Sequence, residues 1–235
     1  MKKMLSKILF WLGFGIIPIF MAAAMSGKTT ISGEWGVASY IVIFAAIALM
    51  YLGFELETSS PKRIAVIAVL GAVGAAGRIA FAAIPNIQPT TFIAIASGYV
   101  FGPSAGFMVG STAALVSNFF LGHGPWTPWQ MFAWGLAGSS AGIVKRLSPH
   151  IGKWGMAFFC LLWGYLFGWI LNLWSWIAFV KPLNWQSFLA VCTASFWFDT
   201  LHAVGNAAFY LLFGTSFMKI LERFRHKMAA TQKIS

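Results

Sequence analysis

The feature that most constrains this chain is a series of apolar runs long enough to cross a lipid bilayer. A membrane-spanning helix needs about 20 consecutive apolar residues, with a range of about 17–25. Five runs reach that range, a sixth falls slightly short, and the run 92–102 is too short to span alone. The last run exceeds one span, so we expect its end to emerge into the cytoplasm. The runs cover residues 4–25, 37–54, 64–84, 92–102, 105–121, 129–144, 154–180 and 187–218.

The composition excludes a soluble, a disordered or a DNA-binding protein. Hydrophobic residues make up 59% of the chain and charged residues 9%, against about 45–50% and about 25% in an ordinary globular domain. One soluble core could not bury the 23 Phe and 12 Trp side chains, and so large an exposed apolar surface would aggregate. The sequence therefore predicts an all-α, polytopic membrane helix bundle of about eight helices.

The basic residues indicate how the bundle is oriented. With the N-terminus inside and eight passes, thirteen of the sixteen Lys and Arg residues fall on inner segments. Lys28 and Lys181 fall on outer segments, and Arg78 lies within a span. Such an excess marks the cytoplasmic side of a membrane, so the net charge of +11 predicts topology and no nucleic acid partner. We expect a bacterial cell-membrane protein with both termini cytoplasmic and an uncleaved first helix, the alternative being that residues 1–24 are a cleaved secretory signal. The predicted outer loops are 26–36, 85–91, 122–128 and 181–186.

One acid and one base are buried in the predicted spans. Asp199, His202 and Asn206 share one face of the last helix, and Arg78 lies about two turns below the outer surface. Two interpretations remain open. Arg78 and Asp199 form a structural ion pair that fixes the bundle, or the polar stripe lines a substrate cavity.

Two proline-framed loops on the predicted outer side indicate a lid over a binding pocket. The sequence Pro85–Pro89 is rigid and uncharged, and Gly122–Trp126 cannot continue a helix. Next to it, Thr127 is predicted as an N-cap, with Pro128 at the first helical position and Gln130 in a capping box. Tryptophans at this depth also serve as interface anchors, which is the alternative interpretation. The candidate substrate-binding residues are Asn86, Gln88, Asn118, His123, Trp126, Trp129, Gln130, Asn172 and His202.

An alanine ladder on the third apolar run predicts a smooth helix face. Ala68, Ala72, Ala76 and Ala80 recur every four residues, a spacing that lets another backbone approach closely. The ladder is a candidate partner-binding surface. Packing against the protein's own helices is the open alternative.

The sequence gives little support for catalysis or for a bound cofactor or metal. Residues Gly138–Gly142 match G-x-S-x-G, and an intramembrane hydrolase would pair Ser140 with a histidine such as His202. That motif needs a strand-to-helix turn, whereas here it lies inside a helix, where small residues favour a helix crossing. Cys160 and Cys192 have no second ligand at metal spacing. We expect no enzyme, no cofactor and no metal.

Residues 62–222 resemble the substrate-binding (S) component of energy-coupling-factor (ECF) vitamin transporters. The resemblance implies a six-helix core at 62–222. The two transmembrane helices predicted at 1–61 depart from that six-helix pattern, and the sequence predicts a basic cytoplasmic tail at 223–235. The motifs that carry the resemblance are Gly77-Arg78, Pro85-Asn86-Ile87-Gln88-Pro89, Ser117-Asn118-Phe119-Phe120, Gly124-Pro125-Trp126-Thr127-Pro128-Trp129-Gln130 and the alanine ladder.

The resemblance implies a subunit that captures a vitamin or a vitamin precursor and topples in the bilayer. Its partners would be a transmembrane coupling subunit, docked on the alanine ladder, and two ATPase subunits. The tryptophan-rich block is most similar to members linked to cobalamin salvage, with α-ribazole or a corrinoid as substrate. The rival class is an ion-coupled secondary transporter of a small heteroaromatic solute, in which Asp199 would couple transport to the ion.

Overall fold

The computed structural model describes residues 2–26, 35–57 and 60–232, and these residues form an all-α bundle. The π-helical turn Tyr210–Gly214 joins the last two helices into one continuous rod. The described helices are α1 (Lys2–Ser26), α2 (Trp35–Glu55), α3 (Pro61–Ala80), α4 (Thr90–Phe101), α5 (Pro103–Leu121), α6 (Thr127–Leu147), α7 (Lys153–Phe179), α8 (Trp185–Ala194), α9 (Phe196–Phe209) and α10 (Thr215–Gln232).

Five helices of the described chain are long and apolar enough to cross a membrane. They are α2, α3, α5, α7 and the rod over Phe196–Met228, so the predicted multi-helix membrane bundle is confirmed. Helix α4 is short because Pro89 precedes it and Gly102, with φ of 97°, and Pro103 follow it. Eleven of its 12 residues are buried, because its neighbours α5 and α6 enclose it.

Glycines bring α4, α5 and α6 into backbone contact at the centre of the bundle. A side chain at Gly138 would collide with the backbone of Gly106, and one at Gly98 would collide with the backbone of Gly138. Small residues at such crossings permit the close van der Waals packing that associates helices in lipid. The Gly138–Gly142 sequence is therefore a helix crossing, as expected.

The N-terminal helix pair packs beside this centre. Helix α1 lies on α2, and α2 lies against α5, α6 and α7. The Trp174 indole N–H donates to the Tyr40 hydroxyl at 2.7 Å, and the Tyr51 hydroxyl lies 2.9 Å from that of Ser111. These bonds join α2 to α7 and to α5. The domain boundary at residue 61 stays a prediction.

The structure divides the last apolar run, which the sequence analysis treated as one helix over 187–218. Helix α8 ends at Ala194, and α9 begins at Phe196 on the other side of Ser195. The segment predicted as a tail, 223–235, continues α10 as far as Gln232, and its last three residues lie outside the described chain. The predicted outer loop 26–36 falls mostly on residues 27–34, which also lie outside it.

The start of α6 also differs from the prediction. Trp126 is the cap residue and makes no side-chain capping bond, so the predicted capping box with Thr127 and Gln130 is wrong. The Thr127 hydroxyl instead accepts from the backbone N–H of Gly124 at 3.2 Å and from Asn118 at 3.0 Å. These two bonds hold the loop before α6 against the end of α5.

Candidate substrate-binding site

The main cavity has a volume of about 380 Å³ and opens at the end of the bundle that carries the two proline-framed loops. It lies between α3, α6, α7 and α9, beneath the turn that follows α3. Ligand pockets typically have volumes of about 300–1,000 Å³, so the cavity suits a small molecule. Its lining residues are Arg78, Phe81, Ala82, Ile84, Asn86, Gln88, Leu121, Gln130, Phe167, Gly168, Leu171, Asn172, Ser195, Phe198 and Asp199.

Arg78 forms a basic wall of the main cavity and is only 9% exposed. Its Nε–H donates to Gln88 at 3.2 Å, and its Nη1 donates to Ser117 at 2.7 Å and to Asn118 at 2.5 Å. Asn118 in turn donates to Gln130 at 2.8 Å. The guanidinium carbon lies 4.8 Å from the centre of the Trp134 ring, in cation–π geometry. Arg78 is therefore held by α5, α6 and the turn after α3.

Asp199 forms an acidic wall with residues of α7 and of the break before α9. It is 3% exposed, and the Ser195 hydroxyl donates to its Oδ2 at 2.7 Å. Asn172 donates to that same hydroxyl at 2.7 Å. A side chain at Gly168 would collide with the Asp199 carboxylate, so this glycine lets the acid lie directly against α7.

Arg78 and Asp199 do not form the predicted ion pair. Each has its own set of hydrogen-bond partners, and in the described residues no bond joins the two sets. Arg78 and Asp199 both line the main cavity, whereas His202 and Asn206, the other two residues of the polar stripe, do not. Asn206, the third polar position of that stripe, is buried, and its side-chain amide has no hydrogen-bond partner.

His202 lies behind the main cavity and ties the turn after α3 to α9. Its Nδ1 is 2.9 Å from the Asn86 carbonyl oxygen, and its Nε2 is 2.9 Å from the Thr91 hydroxyl. A carbonyl only accepts, so Nδ1 carries the proton. The Trp134 indole donates to Thr91 at 2.8 Å, which leaves the Thr91 hydrogen free to bond Nε2. With a neutral imidazole, every polar atom in this series of hydrogen bonds through His202 has a partner.

Asn86 fixes the same turn from its side chain. Its amide donates to the Phe198 carbonyl oxygen at 2.8 Å, and its φ of 56° lies in the left-handed region, which asparagine adopts more readily than most residues. The asparagine therefore shapes the turn and also reaches the main cavity.

The structure places some of the predicted binding residues at the main cavity and others away from it. Asn86, Gln88, Gln130 and Asn172 line the main cavity. Asn118 lies behind them as a partner of Arg78. His123, Trp126, Trp129 and His202 do not line the cavity.

The two tryptophans that were expected to stack on the ligand have other surroundings. Trp129 is fully buried in the apolar cluster that joins α2, α6 and α7, and its indole N–H has no partner. Trp126 is 37% exposed and lies edge-on to Trp174, with ring centres 6.1 Å apart. The aromatic side chains that line the cavity are Phe81, Phe167 and Phe198. Sequence reasoning missed all three because nothing local distinguishes them from the many other phenylalanines.

The alanine ladder lies on the outer surface of the bundle. Ala68, Ala72, Ala76 and Ala80 are all exposed, whereas Gly71 and Gly74, on the opposite face of α3, pack against α5. Internal packing therefore does not explain the ladder. Beside it, α3 and α10 form an apolar groove of about 290 Å³.

The residues of the hydrolase alternative do not meet. The Ser140 hydroxyl donates to the Ala137 carbonyl within its own helix at 3.0 Å, while both ring nitrogens of His202 bond to other groups. In the described residues, no group of three His, Cys, Asp or Glu side chains is placed to hold a metal ion.

Comparison with known families identifies the chain. The model of the ECF transporter, substrate-specific component, matches residues 62–222. The chain belongs to this family. Comparisons with curated proteins and with solved structures gave no match.

As an S component, the protein is a transport subunit and not an enzyme. It is a multi-pass membrane protein, and membership of the family implies an ECF module as partner and a small-molecule substrate. The match begins at the second residue of α3 and ends within α10, so α1 and α2 lie entirely outside it.

Proposed function

We propose that this S component captures a small heteroaromatic vitamin or vitamin precursor in the main cavity, on the outer side of a bacterial cell membrane. The observation that carries the proposal is the cavity itself, which combines three phenylalanine side chains with a ring of fixed amide and charged groups. Apolar walls supply contact area, and a few fixed polar groups orient a ligand. Because the protein already holds Arg78 in place, little ordering is needed on binding.

The substrate that best fits this cavity among cobalamin-related compounds is α-ribazole. A corrinoid contains a corrin macrocycle with many amide side chains and is far larger than a nucleoside. The cavity volume of about 380 Å³ lies near the lower end of the range for ligand sites, so it favours the nucleoside-sized precursor.

The partners in this proposal are a transmembrane coupling subunit and two ATPase subunits, with the coupling subunit docked on the alanine ladder. A helix face in contact with lipid does not require small residues, whereas a partner helix can approach closely only where the side chains are small. The ladder is exposed along the length of α3, and the apolar groove beside α10 extends it.

The test is to replace ladder alanines by phenylalanine and to measure co-purification with the coupling subunit. Ala72→Phe and Ala76→Phe place a ring where a backbone is expected to approach, and overpacking of this kind costs about 1–3 kcal/mol. We therefore expect the amount of captured coupling subunit to fall about tenfold or more, with α-ribazole binding unchanged.

The matched control is Ala48→Phe, which adds the same ring at an exposed alanine of α2 and is expected to preserve the complex. If both ladder variants still capture the coupling subunit, docking on the ladder is wrong. If the isolated protein drives uptake with an ion gradient alone, the ATPase partners are wrong as well.

A further inference from the structure

We infer that Asp199 is the residue that selects the substrate, by accepting hydrogen bonds from hydroxyl groups on a sugar-like end of a neutral ligand. The opposite, ring end of the ligand would offer an acceptor to Arg78. The substrate class is thus a heteroaromatic ring joined to a polyol, of the nucleoside type, rather than the free base. This inference rests on the proposed function of the main cavity as the capture site.

The polarity of the main cavity is fixed by two independent groups of residues. The basic wall is built by α3, α5 and α6 around Arg78, and the acidic wall is built by α7 and α9 around Asp199. The two formal charges cancel, so a ligand with no net charge leaves the cavity neutral. A ligand of this kind needs donors at one end and an acceptor at the other.

The acidic wall demands donors because a carboxylate only accepts hydrogen bonds. It has two oxygens and room for about four bonds. The Ser195 hydroxyl donates to Oδ2, and Asn172 donates to that same hydroxyl and also lies within hydrogen-bonding reach of the carboxylate, which leaves acceptor sites on its two oxygens for a ligand. Leaving a buried acid without donors is costly. Neighbouring hydroxyls of a pentose suit this acid, since a carboxylate commonly binds the ribose of a nucleotide.

The basic wall has the opposite demand. A guanidinium has five N–H groups and no acceptor, and the protein supplies Gln88, Ser117 and Asn118 as acceptors for Nε and Nη1. Both Arg78 and Gln88 line the main cavity, so an unprotonated ring nitrogen has donors there. Such a contact requires an acceptor and no negative charge on the ligand.

Aromatic side chains line the main cavity on its α7 and α9 sides, as Phe167 and Phe198, and at the end of α3, as Phe81. Phe167 is stacked on Trp134, with ring centres 4.5 Å apart and an angle of 29° between the rings, so its orientation is fixed. Phe198 lies one residue before Asp199 and also lines the cavity. A planar ring bound against these side chains places an attached sugar near Asp199. An added phosphate would bring a second negative charge to the same wall and is disfavoured.

The experiment measures binding of two probes to the purified full chain by calorimetry. The probes are α-ribazole and 5,6-dimethylbenzimidazole, which is the same ring without the sugar. We expect the wild-type protein to prefer α-ribazole. Asp199→Asn is expected to weaken α-ribazole binding by about 10- to 100-fold and to leave binding of the free base nearly unchanged, so the preference disappears.

The control is Tyr165→Phe, which removes a 2.9 Å hydrogen bond to Thr200 between the same two helices without touching the main cavity. It is expected to bind both probes like the wild type. If Asp199→Asn does not fold, Gly168→Ala tests the same point by displacing the carboxylate while its charge is retained.

The outcomes separate this inference from the proposed function. If both probes bind the wild-type protein equally, or if the preference survives in the Asp199 and Gly168 variants, the inference is overturned while capture in the cavity stands. If neither probe binds, both the inference and the choice of substrate are overturned. Docking of the coupling subunit is then still decided by the ladder variants.

Discussion

Asn86 is the residue at which backbone shape and ligand binding are most closely joined. Replacing it by alanine removes the 2.8 Å bond to the Phe198 carbonyl and puts a residue that adopts the left-handed region less readily than asparagine at φ of 56°, with a combined cost of about 1–2 kcal/mol. We expect Asn86→Ala to unfold more easily than the wild type in detergent and to bind α-ribazole more weakly. Unfolding is followed by tryptophan fluorescence.

Asn86→Gly separates the two effects, because glycine adopts the left-handed conformation without strain. It loses only the hydrogen bond, so its stability should lie between those of the wild type and of Asn86→Ala. Equal stability of the two variants would show that the backbone conformation contributes nothing.

At the scale of single residues, the sequence correctly drew attention to the charged side chains within predicted membrane spans. Arg78 and Asp199 are rare enough in such segments to be noticed, and both line the main cavity. Trp129 was predicted to bind the substrate, but its side chain points toward α2 and α7 and away from the main cavity. That direction depends on how α6 rotates against helices distant in sequence. Gly168 and Ser195 carry no local signal, since their importance comes from contact with Asp199.

At the scale of helices, the crossing of α4, α5 and α6 depends on the absence of side chains. A methyl group at Gly138 would collide with the backbone of Gly106, so the helices must separate. We expect Gly138→Ala to destabilise the protein by about 1–3 kcal/mol, measured as a lower melting temperature in detergent.

The control for this crossing is Gly36→Ala. A β-carbon at that position meets nothing within 4 Å, and alanine favours a helix by up to about 1 kcal/mol over glycine. Its melting temperature should be unchanged or slightly raised. A Gly138→Ala protein as stable as Gly36→Ala would mean that the crossing is not tightly packed.

Helix class follows from apolar composition and was predicted correctly, whereas the described chain has ten α-helices where about eight were expected. The break at Ser195 was not predicted, because the surrounding run is uniformly apolar and aromatic. What stabilises the break is tertiary: Asn172 on α7 donates to Ser195, which donates to Asp199. Helix ends set by contacts with distant residues do not show in local composition.

For the whole molecule, the testable property is orientation in the membrane. The main cavity opens at the end that carries Pro85–Pro89 and Gly122–Trp126, and substrate capture requires that end to face outward. The excess of Lys and Arg at the other end predicts this orientation. Each end of the bundle offers an exposed histidine, His123 in the loop before α6 at the cavity end and His150 between α6 and α7 at the opposite end.

We expect His123→Cys to react with a membrane-impermeant maleimide in intact cells, and His150→Cys to react only after the cells are permeabilised. The background lacks Cys192 through Cys192→Ser and keeps Cys160, which is fully buried, so the unmodified background supplies the blank. Because the two histidines lie at opposite ends of the bundle, one orientation makes one of them reactive and leaves the other protected. Labelling of His150→Cys in intact cells would place the main cavity on the cytoplasmic side, where it could not capture a nutrient arriving from outside.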